Sequence, residues 1–103
     1  MHRGEVRWYK FVRPDKKRPV LILTRSSALE FLGEASIAPI STTIRNIPTE
    51  VVLTRDDGLP RDCAINLDHV QTVAKSKIGA HITALGSRQM QAVKRALLFA
   101  YGF

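Results

Sequence analysis

The chain has 103 residues, of which 45% are hydrophobic and 24% charged, values of an ordinary globular domain that exclude a disordered or fibrous protein. Sixteen Lys and Arg against nine Asp and Glu leave a net charge of +7, which favours a polyanionic partner, nucleic acid before an acidic protein or a membrane surface. No apolar run approaches the ~18 residues of a membrane span, Met1-His2-Arg3-Gly4-Glu5 is no export signal, and Cys63 is the only cysteine, so one cytoplasmic domain over 1–103 is expected, with no membrane and no internal disulfide.

Arg3 to Phe11 reads as a first strand, with Val6 and Trp8 alternating against Glu5, Arg7 and Tyr9; Trp8 is expected in the core and Tyr9 on the opposite face. Val12-Arg13-Pro14-Asp15-Lys16-Lys17-Arg18 follows as a basic loop. Pro19-Val20-Leu21-Ile22-Leu23-Thr24 has the unbroken aliphatic run of a buried central strand, with Pro19 at its first position. Ser27 and Glu30 form a capping-box pattern ahead of Phe31 and Leu32, and Gly33 can stop the short helix that results. Glu34 to Ser41 and Thr49 to Thr54 read as strands, and Asp56-Asp57-Gly58 as a turn. Asp62 to Asn66, Val70 to Ala74 and His81 to Leu85 are shorter strands, with Lys75 to Gly79 a second basic connector. From a Ser87 N-cap, Met90, Val93, Leu97 and Ala100 or Tyr101 recur at helical spacing, with Arg88, Gln91, Lys94 and Arg95 off the stripe. The sum is a mainly β chain with α, a small antiparallel β-barrel or strongly twisted sheet carrying a C-terminal amphipathic helix. Leu98 and Phe99 widen the apolar stripe of that helix toward a dimer contact.

His2, His69, His81 and Cys63 share no metal-ligand spacing, and Asp56 and Asp57 are explained by the turn they open, so neither metal nor cofactor is expected. No nucleophile elbow, Walker loop or dinucleotide fingerprint occurs. What remains is a set of phosphate-binding residue types at strand ends: Arg18 at the mouth of the second strand, Ser41-Thr42-Thr43 at the end of the third, and Arg45 just beyond. RNA cleavage can run on such a kit, because the substrate's own 2′-hydroxyl is the nucleophile and the protein has only to align it and stabilise the crowded phosphorane. Arg18 offers a planar fork of donors for phosphate oxygens, and Ser41 a hydroxyl to donate or orient. A plainer reading of the same residues, a surface cation and a hydroxyl cluster satisfying backbone groups, is equally open on residue type alone.

Five segments in order carry a resemblance. Arg3-Gly4-Glu5-Val6 with Trp8, Lys17-Arg18-Pro19-Val20-Leu21-Ile22-Leu23, Ala38-Pro39-Ile40-Ser41-Thr42-Thr43, Ile47-Pro48-Thr49-Glu50-Val51 and Gly58-Leu59-Pro60-Arg61-Asp62 together resemble the MazF/PemK toxins of bacterial toxin–antitoxin pairs. The resemblance implies an SH3-like barrel and a homodimer. It also implies metal-independent, sequence-selective cleavage of single-stranded RNA to a 2′,3′-cyclic phosphate and a 5′-hydroxyl, and a cognate acidic antitoxin. Arg18 and Ser41, with Thr42 as the alternative hydroxyl, are then the catalytic candidates. Lys16, Lys17, Thr43, Arg45 and Gln71 are the RNA-binding candidates. Because arginine stays protonated, Arg18 is assigned an electrostatic role and the proton acceptor is left open.

Two other readings carry their own features. The chain ends Phe99-Ala100-Tyr101-Gly102-Phe103, which looks somewhat like the C-terminus of the non-enzymatic gyrase poison CcdB. A non-catalytic RNA-binding barrel would show the same charge and strand content.

Overall fold

Val20, Leu21 and Ile22 are all fully buried, which a strand achieves only when both of its faces are covered, because successive side chains point opposite ways. They belong to β2 (Lys17–Ile22), which runs between β1 (Glu5–Lys10) and β3 (Glu34–Ser41). The computed structural model describes residues 1–12 and 16–103; Arg13, Pro14 and Asp15 of the expected basic loop lie outside the described residues. Four more strands follow, β4 (Glu50–Leu53), β5 (Cys63–Asn66), β6 (Gln71–Ala74) and β7 (Ile78–Ala84), with helices α1 (Ser26–Leu29) and α2 (Ser87–Tyr101). Every pairing is antiparallel, in the order β4-β5-β3-β2-β1-β7, with β6 also on β3.

β4 and β7 end this path without pairing to each other, so the expected barrel is an open sheet. Its amphipathic helix does what a closing strand would have done: α2 lies against β4, and its Val93 and Ala96 join Val6, Leu21, Val51, Leu53 and Ile65 in one core. The other face of the sheet carries a smaller core of Val20, Ile22, Leu29, Ile37 and Val73, flanked by Tyr9 and Phe11. Burying each large aliphatic side chain contributes about 1.5–3 kcal/mol, so the two cores together hold β2 and β3 as the rigid floor of the molecule.

Several local expectations change. Ser27 does not cap α1: the helix begins at Ser26 after Arg25, with no side-chain cap, and Ser26 Oγ instead accepts from the Arg3 backbone N–H at 3.0 Å. Gly86 rather than Ser87 is the N-cap of α2. Trp8 is not a core residue as expected. Trp8, on the face of β1 that Val6 shares, joins neither core and lies half-buried beneath the Lys17 ammonium, 5.8 Å from the ring centroid. Tyr9 packs toward the smaller core, edge-on to Phe11 at 4.9 Å. Pro19 sits third in β2, at a point where β3 has not yet begun to pair, so its missing N–H leaves no gap in a ladder.

Candidate active-site groove

A change of partner along β3 creates the groove. Residues 34–37 of β3 pair with β6, ending at Ile37 opposite Gln71, and residues 40–41 pair with β5, beginning at Ile40 opposite Ile65. Ala38 and Pro39 between them have no neighbour on that side, and the chain from Asn66 to Gln71 turns away to reach β6. Proline suits this position because it has no amide hydrogen to leave unpaired. The opening is a groove of about 300 Å³, floored by Pro39, Ile40 and Phe11. Its polar lining is Arg18, Ser41, Arg45, Asn66, His69 and Gln71.

Arg18 projects from β2 opposite Tyr9, half-buried and carried on a strand that is rigid from Val20 onward. No carboxylate pairs with it among the described residues, so its donors face the groove uncompensated. Ser41 ends β3, and its Oγ accepts the Thr43 backbone N–H at 3.0 Å. That bond occupies a lone pair and leaves the hydroxyl proton to donate outward. Arg45 enters from the loop that follows. Its backbone N–H donates to Glu50 Oε1 at 2.9 Å and its guanidinium lies 4.0 Å from Glu50 Oε2, so part of its charge is already balanced.

Of the residues expected from sequence, Arg18, Ser41, Arg45 and Gln71 are brought together here. Thr42 is not: as the residue after Ser41 it turns to a separate shallow depression beside Arg55, Arg61 and Asp62. Thr43 is exposed and contributes its backbone N–H to Ser41. Lys16 is exposed, and Lys17 is engaged over Trp8 on the opposite face of β2 from Arg18. Asn66 and His69 were not expected as a pair. The signal in the sequence is Asn66-Leu67-Asp68, the pattern of a side-chain-to-backbone turn, which forms with Asp68 N donating to Asn66 Oδ1 at 2.9 Å. Among the described residues no group of three or more His, Cys, Asp or Glu is placed to hold a metal ion, and no helix is long and apolar enough to cross a membrane.

The comparisons with known proteins agree with this architecture. The Mycobacterium tuberculosis "Probable endoribonuclease MazF5" is 38% identical over 96 residues, covering 92% of this chain and 87% of that protein. "Endoribonuclease MazF3" of the same organism is 37% identical over 83 residues, 81% of each chain. The solved structure "Mycobacterium tuberculosis toxin MazF-mt6" superposes with a TM-score of 0.88 at 32% identity, covering 96% of this chain and 97% of that one. Residues 2–100 match the family described as PemK-like, MazF-like toxin of type II toxin–antitoxin system, and the chain belongs to that family.

Proposed function

We propose that this toxin is an endoribonuclease that cleaves single-stranded RNA in the groove between Arg18 and Ser41. The observation that carries the reading is the convergence of a guanidinium with no carboxylate partner among the described residues and an outward-donating hydroxyl, 23 residues apart in sequence, on one groove floored by rigid strands. Both relatives named above are called endoribonucleases. In the step proposed, the RNA 2′-oxygen bonds to phosphorus, the bond from phosphorus to the 5′-oxygen breaks, and the products are a 2′,3′-cyclic phosphate and a 5′-hydroxyl. Arg18 donates to the non-bridging oxygens as they gain charge, and the Ser41 hydroxyl donates to the same oxygens or holds the 2′-hydroxyl in line. The 2′-proton leaves to water, and the departing 5′-oxygen takes a proton from water.

Replacing Arg18 with Ala removes a preorganised donor where charge accumulates, which costs on the order of 10²–10³ in rate. RNA affinity falls much less, because one phosphate contact is one of several. Ser41→Ala slows cleavage and leaves thermal stability nearly intact, Ser41→Thr stays active, and Thr42→Ala, on the separate depression, cuts at the parent rate. The assay is single-turnover cleavage of an unstructured RNA in EDTA with the fragment termini identified. Parent-like cleavage by Arg18→Ala would overturn the assignment and move a non-catalytic RNA-binding role ahead.

A homodimer and an acidic antitoxin complete the proposal. Leu98 and Phe99 are 42% and 63% exposed on α2, apolar surface of the kind a subunit contact covers. A +7 toxin is most simply silenced by a complementary acidic segment lying over the same groove, so antitoxin and RNA should compete. The gyrase-poison reading is not favoured: Tyr101 and Phe103 are exposed around Gly102, the C-cap of α2, but the family match and the relatives named endoribonucleases support RNA cleavage.

A further inference from the structure

The turn from Asn66 to His69 is held more firmly than an exposed turn requires. Asn66 is 9% exposed, the Leu67 N–H donates to Thr49 O at 2.9 Å, and Thr49 Oγ1 donates to Asp68 Oδ2 at 2.6 Å. Within that frame the hydrogen bonds decide the chemistry of one ring. The Asp68 backbone N–H can only donate, so the Asn66 side-chain atom 2.9 Å away must be the carbonyl oxygen Oδ1. The amide nitrogen of Asn66 therefore points at His69, 3.3 Å from Nδ1, and an amide nitrogen also only donates. Nδ1 is the acceptor, so the ring hydrogen resides on Nε2. Nε2 has no hydrogen-bond partner among the described residues, and the ring lines the groove.

We propose that His69 is a specificity-determining residue: Asn66 locks it as an Nε2–H donor that selects an RNA base presenting a carbonyl, uracil or guanine, over one presenting an amino group there, cytosine or adenine. The inference rests on reading the groove as the RNA site. In the groove Arg18, Ser41 and Arg45 have the donors and charge that suit phosphate. The same groove is lined by His69 and Gln71 and by the apolar surface of Phe11 and Pro39, the combination of polar edge and flat contact that holds an unstacked base. A donor that cannot become an acceptor without breaking the Asn66–Asp68 arrangement discriminates by repulsion as well as attraction, since an amino group would face it N–H to N–H.

Two measurements test this. In nitrogen-15-labelled protein, long-range nitrogen–proton spectra should show His69 with a bare Nδ1 and a protonated Nε2, and Asn66→Ala should release it to a mixture; a protonated Nδ1 in the parent overturns the proposal whatever the protein does to RNA. Binding of non-cleavable 2′-O-methyl oligouridylate and oligocytidylate, equal in length, compares uracil O4 with the cytosine amino group. The parent should prefer oligouridylate about tenfold, the effect of one hydrogen bond exchanged for an unsatisfied donor. His69→Phe keeps a flat ring and should erase the preference, while Arg18→Ala should weaken both oligomers alike. If His69→Phe weakens both equally, Nε2 meets phosphate and the base-selection idea is wrong; if the preference survives, His69 does not read the base. Binding of neither oligomer by the parent would remove the RNA reading of the groove itself, which the Arg18→Ala cleavage assay probes separately.

Discussion

Gly58 offers a stability test in which steric and conformational costs can be separated. It closes the short 3-10 turn Arg55–Asp57 that connects β4 to β5, with φ +93° and its N–H on Arg55 O at 3.0 Å. A Cβ at this position would lie 2.4 Å from Thr83 Oγ1 and 2.8 Å from Thr83 Cβ on β7. Thr83 cannot simply rotate away, because its Oγ1 donates to Asp57 O at 3.2 Å. Left-handed backbone costs a non-glycine residue about 1–2 kcal/mol and overpacking a further ~1–3, so Gly58→Ala should destabilise by about 2–5 kcal/mol. For a domain of this size that is a drop in Tm of roughly 10–30 °C. The assay is thermal and urea unfolding of Gly58→Ala, Thr83→Ala and the double variant. Thr83→Ala removes the Oγ1 and Cγ2 contacts but leaves Cβ and the backbone angle, so the double variant should be more stable than the sum of the single changes by about 1 kcal/mol, never fully restored. A Gly58→Ala protein melting within ~2 °C of the parent, or strictly additive energies, would refute the reasoning.

Other outcomes are expected at and around the groove. Arg18→Lys keeps the charge but loses the planar fork, so it should recover only part of the cleavage rate lost in Arg18→Ala, measured under single-turnover conditions. Affinity for single-stranded RNA should fall with salt at a log–log slope of about −0.7 per phosphate contact, so Arg18 and Arg45 alone account for roughly −1.4; a flat dependence in a filter-binding titration would contradict a phosphate-lined groove. Cys63 is 4% exposed, and burial, followed by the charges of Asp62 and Asp57, pushes its thiol up to about 11. The unfolded chain then loses this proton at lower pH than the folded one, so its contribution to stability is complete below about pH 9 and is lost as pH rises through about 11, readable in urea midpoints against Cys63→Ala. The same burial should make native Cys63 resist alkylation near neutral pH while the urea-unfolded chain reacts.

How much of this was readable from sequence depends on how local each cause is. The aliphatic run 20–23 identifies a central strand, because burial on both faces demands apolar residues at successive positions, and Val20, Leu21 and Ile22 are all at 0% exposure. Asp56-Asp57-Gly58 identifies its turn, and the spacing of Met90, Val93 and Leu97 identifies α2, because turn chemistry and helical periodicity are encoded within a few residues. Cap positions were less legible: Ser26, Ser27 and Ser87 are all competent caps, and Ser26 was drawn instead to the backbone N–H of Arg3, in the turn ahead of β1. Trp8 and Tyr9 keep the opposite faces that the alternation of β1 gives them, but the core was less legible: Tyr9 packs toward the smaller core while Trp8 joins neither, because which face is covered is decided by distant segments.

The site divides in the same way. Sequence by itself determined the residue types, an arginine at the start of a buried strand and a hydroxyl at a strand end, since those follow from local pattern and charge. Only the tertiary structure decided which of them meet. Ser41 and Thr42 are neighbours in the chain, yet strand geometry turns one into the Arg18 groove and the other to the depression beside Arg55 and Arg61. His69, an isolated histidine with no ligand spacing, becomes a directed donor only because Asn66 faces it, oriented by the Asp68 backbone N–H, in a turn that Thr49 ties to the loop ahead of β4. The groove itself exists because β3 changes partner at Ala38 and Pro39, and strand pairing is a contest among distant segments that no single stretch of the chain can settle.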